Sequence, residues 1–261
     1  MTKRFFWTKL QAFFHLEGHL DTETDRAKRE RYFALLERLN EPVGDWRKGE
    51  LEIVTQPMRI RQHLKAGGEP MGIMYEDRYV YFLRDLVLFP PKPGSVEPRL
   101  GTYIRVVYKN RLKGNPGIFI LAYDTYGRLV LNRTYRHATR HWMLEGQGTI
   151  AKDSERREES VERCVRDEIG RPISQMSLLC EDFVSERGLV GDAIPVYLVA
   201  LGGQPIDHVE DATIAGHVAL VPEAYESALQ KGYYEIDGIA HRLRDGYTMS
   251  AFLLAKLRKL L

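Results

Sequence analysis

The chain has little of what would assign it quickly. Its 261 residues include only two cysteines, Cys164 and Cys180, and their spacing matches neither a zinc site nor a redox pair. They read as reduced thiols in a cytoplasmic protein, one on a helix and one near a strand. No run of 18 apolar residues occurs, so no stretch is long enough to cross a bilayer as a helix. Met1–Leu20 carries lysine and arginine but no continuous apolar core, so no secretory signal is expected. The 38 Lys and Arg and the 36 Asp and Glu are interleaved and leave a net charge of +2. That balance excludes the basic footprint of a nucleic-acid binder. Internal repeats, low-complexity tracts, a Walker-type phosphate loop and a serine, histidine or cysteine constellation for nucleophilic catalysis are also missing.

What is there is ordinary globular material. A hydrophobic fraction of 44% with 28% charged residues is enough to bury a real core. The length suits one large domain or a domain with an appendage. Phe5, Phe6, Trp7, Leu10, Phe13, Phe14 and Leu16 suit an amphipathic helix with an aromatic face. A second helix is expected from about Thr24 to Leu39, ended by Asn40 and Pro42. Leu51–Val54 and Met58–Ile60 read as short strands. Together, residues 1–66 form an expected N-terminal helical extension. It either packs on the main domain, mediates a homodimer, or lies on a membrane surface.

Lys65–Pro70, with Gly67 and Gly68, marks the expected boundary, so that 67–261 is the main domain. The chain then becomes rich in strands. Arg78–Asp85 and Tyr103–Tyr108 alternate, and Pro90–Pro98 makes a loop between them. Gly117–Tyr123 is a short buried strand that turns at Asp124–Arg128 into Leu129–Asn132. Met176–Phe183 and Ile194–Leu201 are further strands, and Val221–Gln230 and Met249–Leu260 look helical. Strands and helices mix without regular alternation, which predicts an α+β protein or an α/β/α sandwich with a mixed sheet.

The chain is organised around residues 142–171, where a glycine loop leads into a charged helix. Asp153 and Ser154 are candidate N-caps, and Glu155 and Glu158 place negative charge in the first turn. Gly170 ends the helix and Pro172 prevents it restarting. Val161, Val165 and Ile169 make a buried stripe. Ser160, Cys164 and Glu168 form the adjacent stripe, with Asp167 beside Glu168. Two neighbouring carboxylates at a helix end, facing a glycine turn, suit a hard divalent cation such as Mg²⁺.

This stretch resembles the Nudix signature, Gly-x5-Glu-x7-Arg-Glu-U-x-Glu-Glu-x-Gly-U, where U is a bulky apolar residue. Glu155, Arg163, Val165, Glu168 and Gly170 fall in register, and Asp167 stands for the first glutamate of the Glu-Glu pair. The box is degenerate at three positions. Thr149 sits where the first glycine belongs, Arg171 replaces the last apolar residue, and Cys164 occupies the glutamate that follows the arginine. The flanks extend the likeness. Tyr135-Arg136-His137 and Trp142–Glu145 resemble the lead-in of ADP-ribose and ADP-sugar pyrophosphatases, and Ser185–Leu189, Pro195–Leu198 and Gly238–Ala251 are similar to the same branch.

The resemblance implies a Nudix fold, here with the N-terminal extension, and Mg²⁺- or Mn²⁺-dependent hydrolysis of a nucleoside diphosphate linked to a sugar. The products would be a nucleoside monophosphate and a sugar phosphate. It implies Glu168, Asp167, Glu145 and the backbone carbonyl of Gly148 as metal ligands, with Glu168 and Asp167 serving catalysis. Arg136 and Glu145 would bind substrate, Arg163 would orient carboxylates by ion pairing, and Glu210 or Asp211 would supply a general base. Cys164 cuts against this, because soft sulfur is a poor partner for a hard ion. The alternative is a catalytically weak or inactive Nudix-like protein that binds a nucleotide or a protein partner.

Overall fold

The computed structural model describes residues 23–114, 117–184, 188–203 and 213–261. The expected aromatic helix at Phe5–Leu16 lies outside these residues, as do Glu210 and Asp211. Two compact units are present. One holds the described residues up to Leu112 together with Gly188–Gly191, and the other runs over Lys113–Arg187 and Asp192–Leu261.

The N-terminal unit comprises helix α1 (Glu23–Leu39), helix α2 (Pro57–Lys65) and strands β1 (Glu52–Ile53), β2 (Gly72–Glu76), β3 (Val80–Phe89) and β4 (Arg99–Tyr108). β4 pairs antiparallel with the whole length of β3, while β2 and β1 share the other edge of β3. Tyr32 and Leu35 of α1, Val54, and Ile60 of α2 are buried in one cluster with Ile73, Leu83, Leu86, Leu88 and Val107. This corrects the expected boundary at 66/67. Residues before it supply part of the core that residues after it complete, so the break falls at 112/113. It also corrects Met58–Ile60, which is helical. Pro57 sits in the first turn, where its missing N–H costs nothing, and the three residues Met-Arg-Ile are too short a window to distinguish the two periods.

The second unit is built on a nine-stranded mixed sheet. Its strands are β5 (Gly117–Tyr123), β6 (Leu129–Arg136), β7 (His141–Glu145), β8 (Gln147–Ile150), β9 (Ile173–Phe183), β10 (Ile194–Leu201), β11 (Ile214–Leu220), β12 (Tyr233–Ile236) and β13 (Ile239–Arg242). β10 runs parallel to β5 and β13 parallel to β7, and the other pairings are antiparallel. β5 shows why the sheet must be covered on both faces. Its run Ile-Phe-Ile-Leu-Ala sends Ile118, Ile120 and Ala122 to helix α3 (Arg157–Ile169), where they meet Val161, Val165 and Ile169. Phe119 and Leu121 point the other way, to helices α4 (Pro222–Lys231) and α5 (Gly246–Leu257), among Tyr225, Ala228, Ala251 and Phe252. A strand buried on both faces reads as a continuous apolar run. The result is the expected α+β architecture, an α/β/α sandwich with a mixed sheet.

Candidate functional site

The site lies where α3 ends against β6 and β8. Along β6, Val130 packs under α3, and the same face then turns polar at Asn132, Thr134 and Arg136. Asn132 and Thr134 are buried, as are Glu145 on β7, Gln147 on β8 and Glu168 on α3. Buried polar groups of this kind require partners, and most here find one another, although Gln147 Oε1 has no hydrogen-bond partner among the described residues. Gln147 Nε2 donates to the Val130 carbonyl at 3.0 Å and to Asn132 Oδ1 at 3.2 Å. Asn132 Nδ2 donates to Glu168 Oε2 at 2.7 Å. Cys164 Sγ donates to Glu168 Oε1 at 3.3 Å. His217 of β11 meets the Glu168 backbone carbonyl at 2.7 Å through Nε2. A carbonyl only accepts, so that nitrogen carries the proton.

Burial beside Glu168 pushes the Cys164 thiol well above its ordinary value. The thiol therefore stays protonated and serves as a donor to the carboxylate. A neighbouring pair ties down the second acid. Arg136 approaches Glu145 with Nε at 3.0 Å and Nη2 at 2.5 Å. Burial nevertheless pushes the Glu145 carboxyl up, against the pull of Arg136. The turn between β7 and β8 is held by Thr248 of α5, whose hydroxyl accepts from Gly146 N at 2.9 Å and donates to Asp245 at 2.5 Å. Only glycine fits at 146, because a Cβ there would come within 2.4 Å of the Phe119 ring and 2.5 Å of the Ile120 carbonyl.

The loop before α3 is fastened by Glu155. It accepts from Arg163 Nε and Nη2, both at 2.8 Å, from Ser160 Oγ at 2.7 Å and from Lys152 N at 3.0 Å. Arg163 also reaches Thr149 Oγ1 at 3.2 Å and the Ile150 carbonyl at 3.1 Å. The Arg163 hydrogen bonds, with that of Lys152 N, hold the Glu155 carboxyl far below its ordinary value. This corrects the helix start. Asp153 and Ser154 lie in the loop, and α3 begins at Arg157 after Arg156, whose N–H donates to Glu159 at 2.9 Å.

The sequence-derived candidates thus fall into three groups. Glu168, Glu145 and Arg136 share one polar neighbourhood, and Asn132 stands opposite Glu145 in the β6–β7 register. Asp167 is partly exposed and lies 3.4 Å from Arg166, and Gly148 is exposed on β8, paired with Phe119. Glu210 and Asp211 are outside the described residues. Among the described residues no three of His, Cys, Asp and Glu come together so as to hold a metal ion. The donor set has the same bias: the position next to Glu168 offers a protonated thiol rather than a second oxygen anion, a poor match for Mg²⁺ or Mn²⁺.

Asn132, Thr134, Gln147 and His217 were not expected. The alternation of Asn132, Thr134 and Arg136 in an otherwise apolar strand was the available signal for the first two.

No family model matches the chain, and no curated protein matches it. Its structure is similar to a crystal structure of an ADP compounds hydrolase, with a TM-score of 0.55 and 14% identity, over 72% of this chain and 90% of that one. At that identity the likeness shows a shared fold alone. Among the described residues no helix is long and apolar enough to cross a membrane.

Proposed function

We propose that the Nudix-like unit binds a nucleoside diphosphate joined to a sugar, of the ADP-ribose kind, and hydrolyses it slowly or not at all. The observation that carries this reading is the Cys164–Glu168 hydrogen bond. Where the resemblance implies two carboxylates sharing a cation, one residue is a neutral thiol that donates to the other. The fold likeness supports a nucleotide ligand. So does Arg136, whose side chain is 57% exposed and yet held in place by buried Glu145, because a positioned guanidinium suits a diphosphate.

Magnesium- or manganese-dependent hydrolysis is the second reading, with Glu168, Asp167, Glu145 and Gly148 as ligand candidates and Glu210 or Asp211 as base. It is favoured by the intact Glu155–Arg163 clamp and by Glu168 standing at the end of α3. Calorimetric titration with ADP-ribose, in EDTA and in Mg²⁺, paired with phosphatase-coupled phosphate release, separates the two. The binding reading expects similar affinity in both buffers and turnover near background. Rapid Mg²⁺-dependent release would establish the hydrolase instead, and no binding in either buffer would remove the nucleotide from both.

A further inference from the structure

The N-terminal unit has a pocket of its own. Where α1 ends at Leu39, the sheet face it covers continues, and a cavity of about 400 Å³ opens there. That volume lies within the range of roughly 300–1,000 Å³ typical of small-molecule sites. Pro42, Leu51, Ile53, Val87 and Tyr103 give it an apolar and aromatic lining. Its charged residues form a chain. Tyr32 donates to Asp85 at 2.5 Å, Arg105 Nε meets Asp85 at 2.7 Å, and Arg105 Nη1 meets Glu41 at 2.5 Å. Arg111 Nη1 then meets the other Glu41 oxygen at 2.7 Å.

Glu41 is stretched between two guanidiniums and gives each a single oxygen. Arg105 pays for this arrangement: its Nη2 is buried and has no acceptor among the described residues. A buried donor without a partner is costly. A guanidinium is satisfied best by a carboxylate lying across two of its N–H groups, and Glu41, shared as it is, cannot do so.

We infer that this cavity binds a small carboxylate with a flat apolar body, which exchanges with Glu41 at Arg105 and Arg111. The unmet group is a donor, so the ligand must bring an acceptor. The space between the two arginines already holds one carboxylate, that of Glu41, which sets the group's size. The apolar lining takes the body. Glu41 then acts as a tethered competitor that keeps the site closed.

The test uses the full chain, methyl-labelled for NMR, with benzoate as the probe and acetate and inorganic phosphate as controls. Benzoate should move the signals of Leu51, Ile53 and Val87 at millimolar concentration, where binding is worth about 4 kcal/mol, and neither control should do so. Glu41→Gln should tighten benzoate binding about tenfold, and Arg111→Ala should weaken it by a similar factor. Unmoved Leu51, Ile53 and Val87 signals at about 10 mM benzoate would overturn the inference in the unmodified protein, whatever the variants do. So would equal shifts from acetate or phosphate, or an affinity indifferent to Arg111.

Discussion

The two ends of α3 carry the two halves of the stretch that resembles the Nudix signature, and they hold their glutamates differently. At its start, Glu155 and Arg163 make an ion pair with two N–H contacts of 2.8 Å, and Arg163 adds two bonds to the preceding strand. Both side chains are about 85% buried, with 15% and 14% exposed. At its end, Glu168 is equally well placed, but its neighbour is a thiol at 3.3 Å and its other oxygen takes a 2.7 Å bond from Asn132. The first half fixes a loop onto a helix, a task that any chain keeping the fold must still perform. The second half holds the residues that the proposed function assigns to the ligand, and a chain can change them and stay folded. The likeness of the fold is therefore stronger than any likeness of activity.

The largest effect should come from breaking the first half. Arg163→Ala removes four hydrogen bonds and leaves Glu155 without its cation, and it should cost about 3 kcal/mol in urea unfolding. A loss below about 0.5 kcal/mol, the scale of an ordinary surface change, would mean that the clamp is not structural. Next is Cys164→Glu. The residue is 2% exposed, so the new carboxylate would be desolvated beside Glu168, and a loss of about 2 kcal/mol is expected in EDTA. Much of that loss should return in Mn²⁺, since a cation between the two acids relieves both burial and repulsion. No return would weaken the hydrolase reading directly.

A smaller effect separates the acids by pH. Arg163 lowers the folded-state value of Glu155, so its contribution to stability is present above the ordinary carboxylate value and is lost as pH falls below about 4.5. Glu155→Gln should flatten the acid limb of the stability–pH curve. Glu145 has the opposite sign. Burial raises its value, so its protonated form is the one that folding favours, and stability falls as pH rises through that window. An unchanged acid limb in Glu155→Gln would show that another carboxylate controls acid unfolding.

How much of this was legible follows from where the signals lie. β5 and β10 were readable because an apolar run flanked by turns has few other homes in a chain of this kind, and both match their expected bounds. The Val161, Val165 and Ile169 stripe was readable for the same reason at helical spacing. The β12–β13 hairpin was missed because Tyr-Tyr-Glu-Ile is neither apolar nor cleanly alternating. In the sequence β8 reads as a turn because of its glycine, whereas the structure has it as a strand. The site itself was half legible. Glu168, Glu145 and Arg136 are candidates through a resemblance, and the structure places them in one polar neighbourhood, but the Glu168 bond to Asn132 spans 36 residues, and Gln147 lies 15 residues from Asn132. Side-chain bonds over such separations leave no local pattern.

The smallest expected effect bears most directly on why Cys164 is there. A buried cysteine is commonly a small hydrophobe whose polar hydrogen is incidental. Here it lies among Val161, Val165 and Ile118 while its Sγ faces Glu168, so packing and hydrogen bonding make different predictions. Cys164→Ala keeps a small apolar group but deletes the thiol donor to Glu168, at a cost of about 1–2 kcal/mol. Cys164→Ser keeps a donor, and a better one, but trades polarizable sulfur for a hydroxyl that the apolar side of the pocket disfavours. If the hydrogen bond dominates, the serine variant should stay within about 0.5 kcal/mol of the parent and the alanine variant should be the weaker of the two. If packing dominates, the order reverses. Measuring ADP-ribose affinity alongside stability extends the test to the site. A merely structural thiol would change stability alone, whereas one that positions Glu168 for the ligand would change affinity as well, with serine restoring what alanine loses.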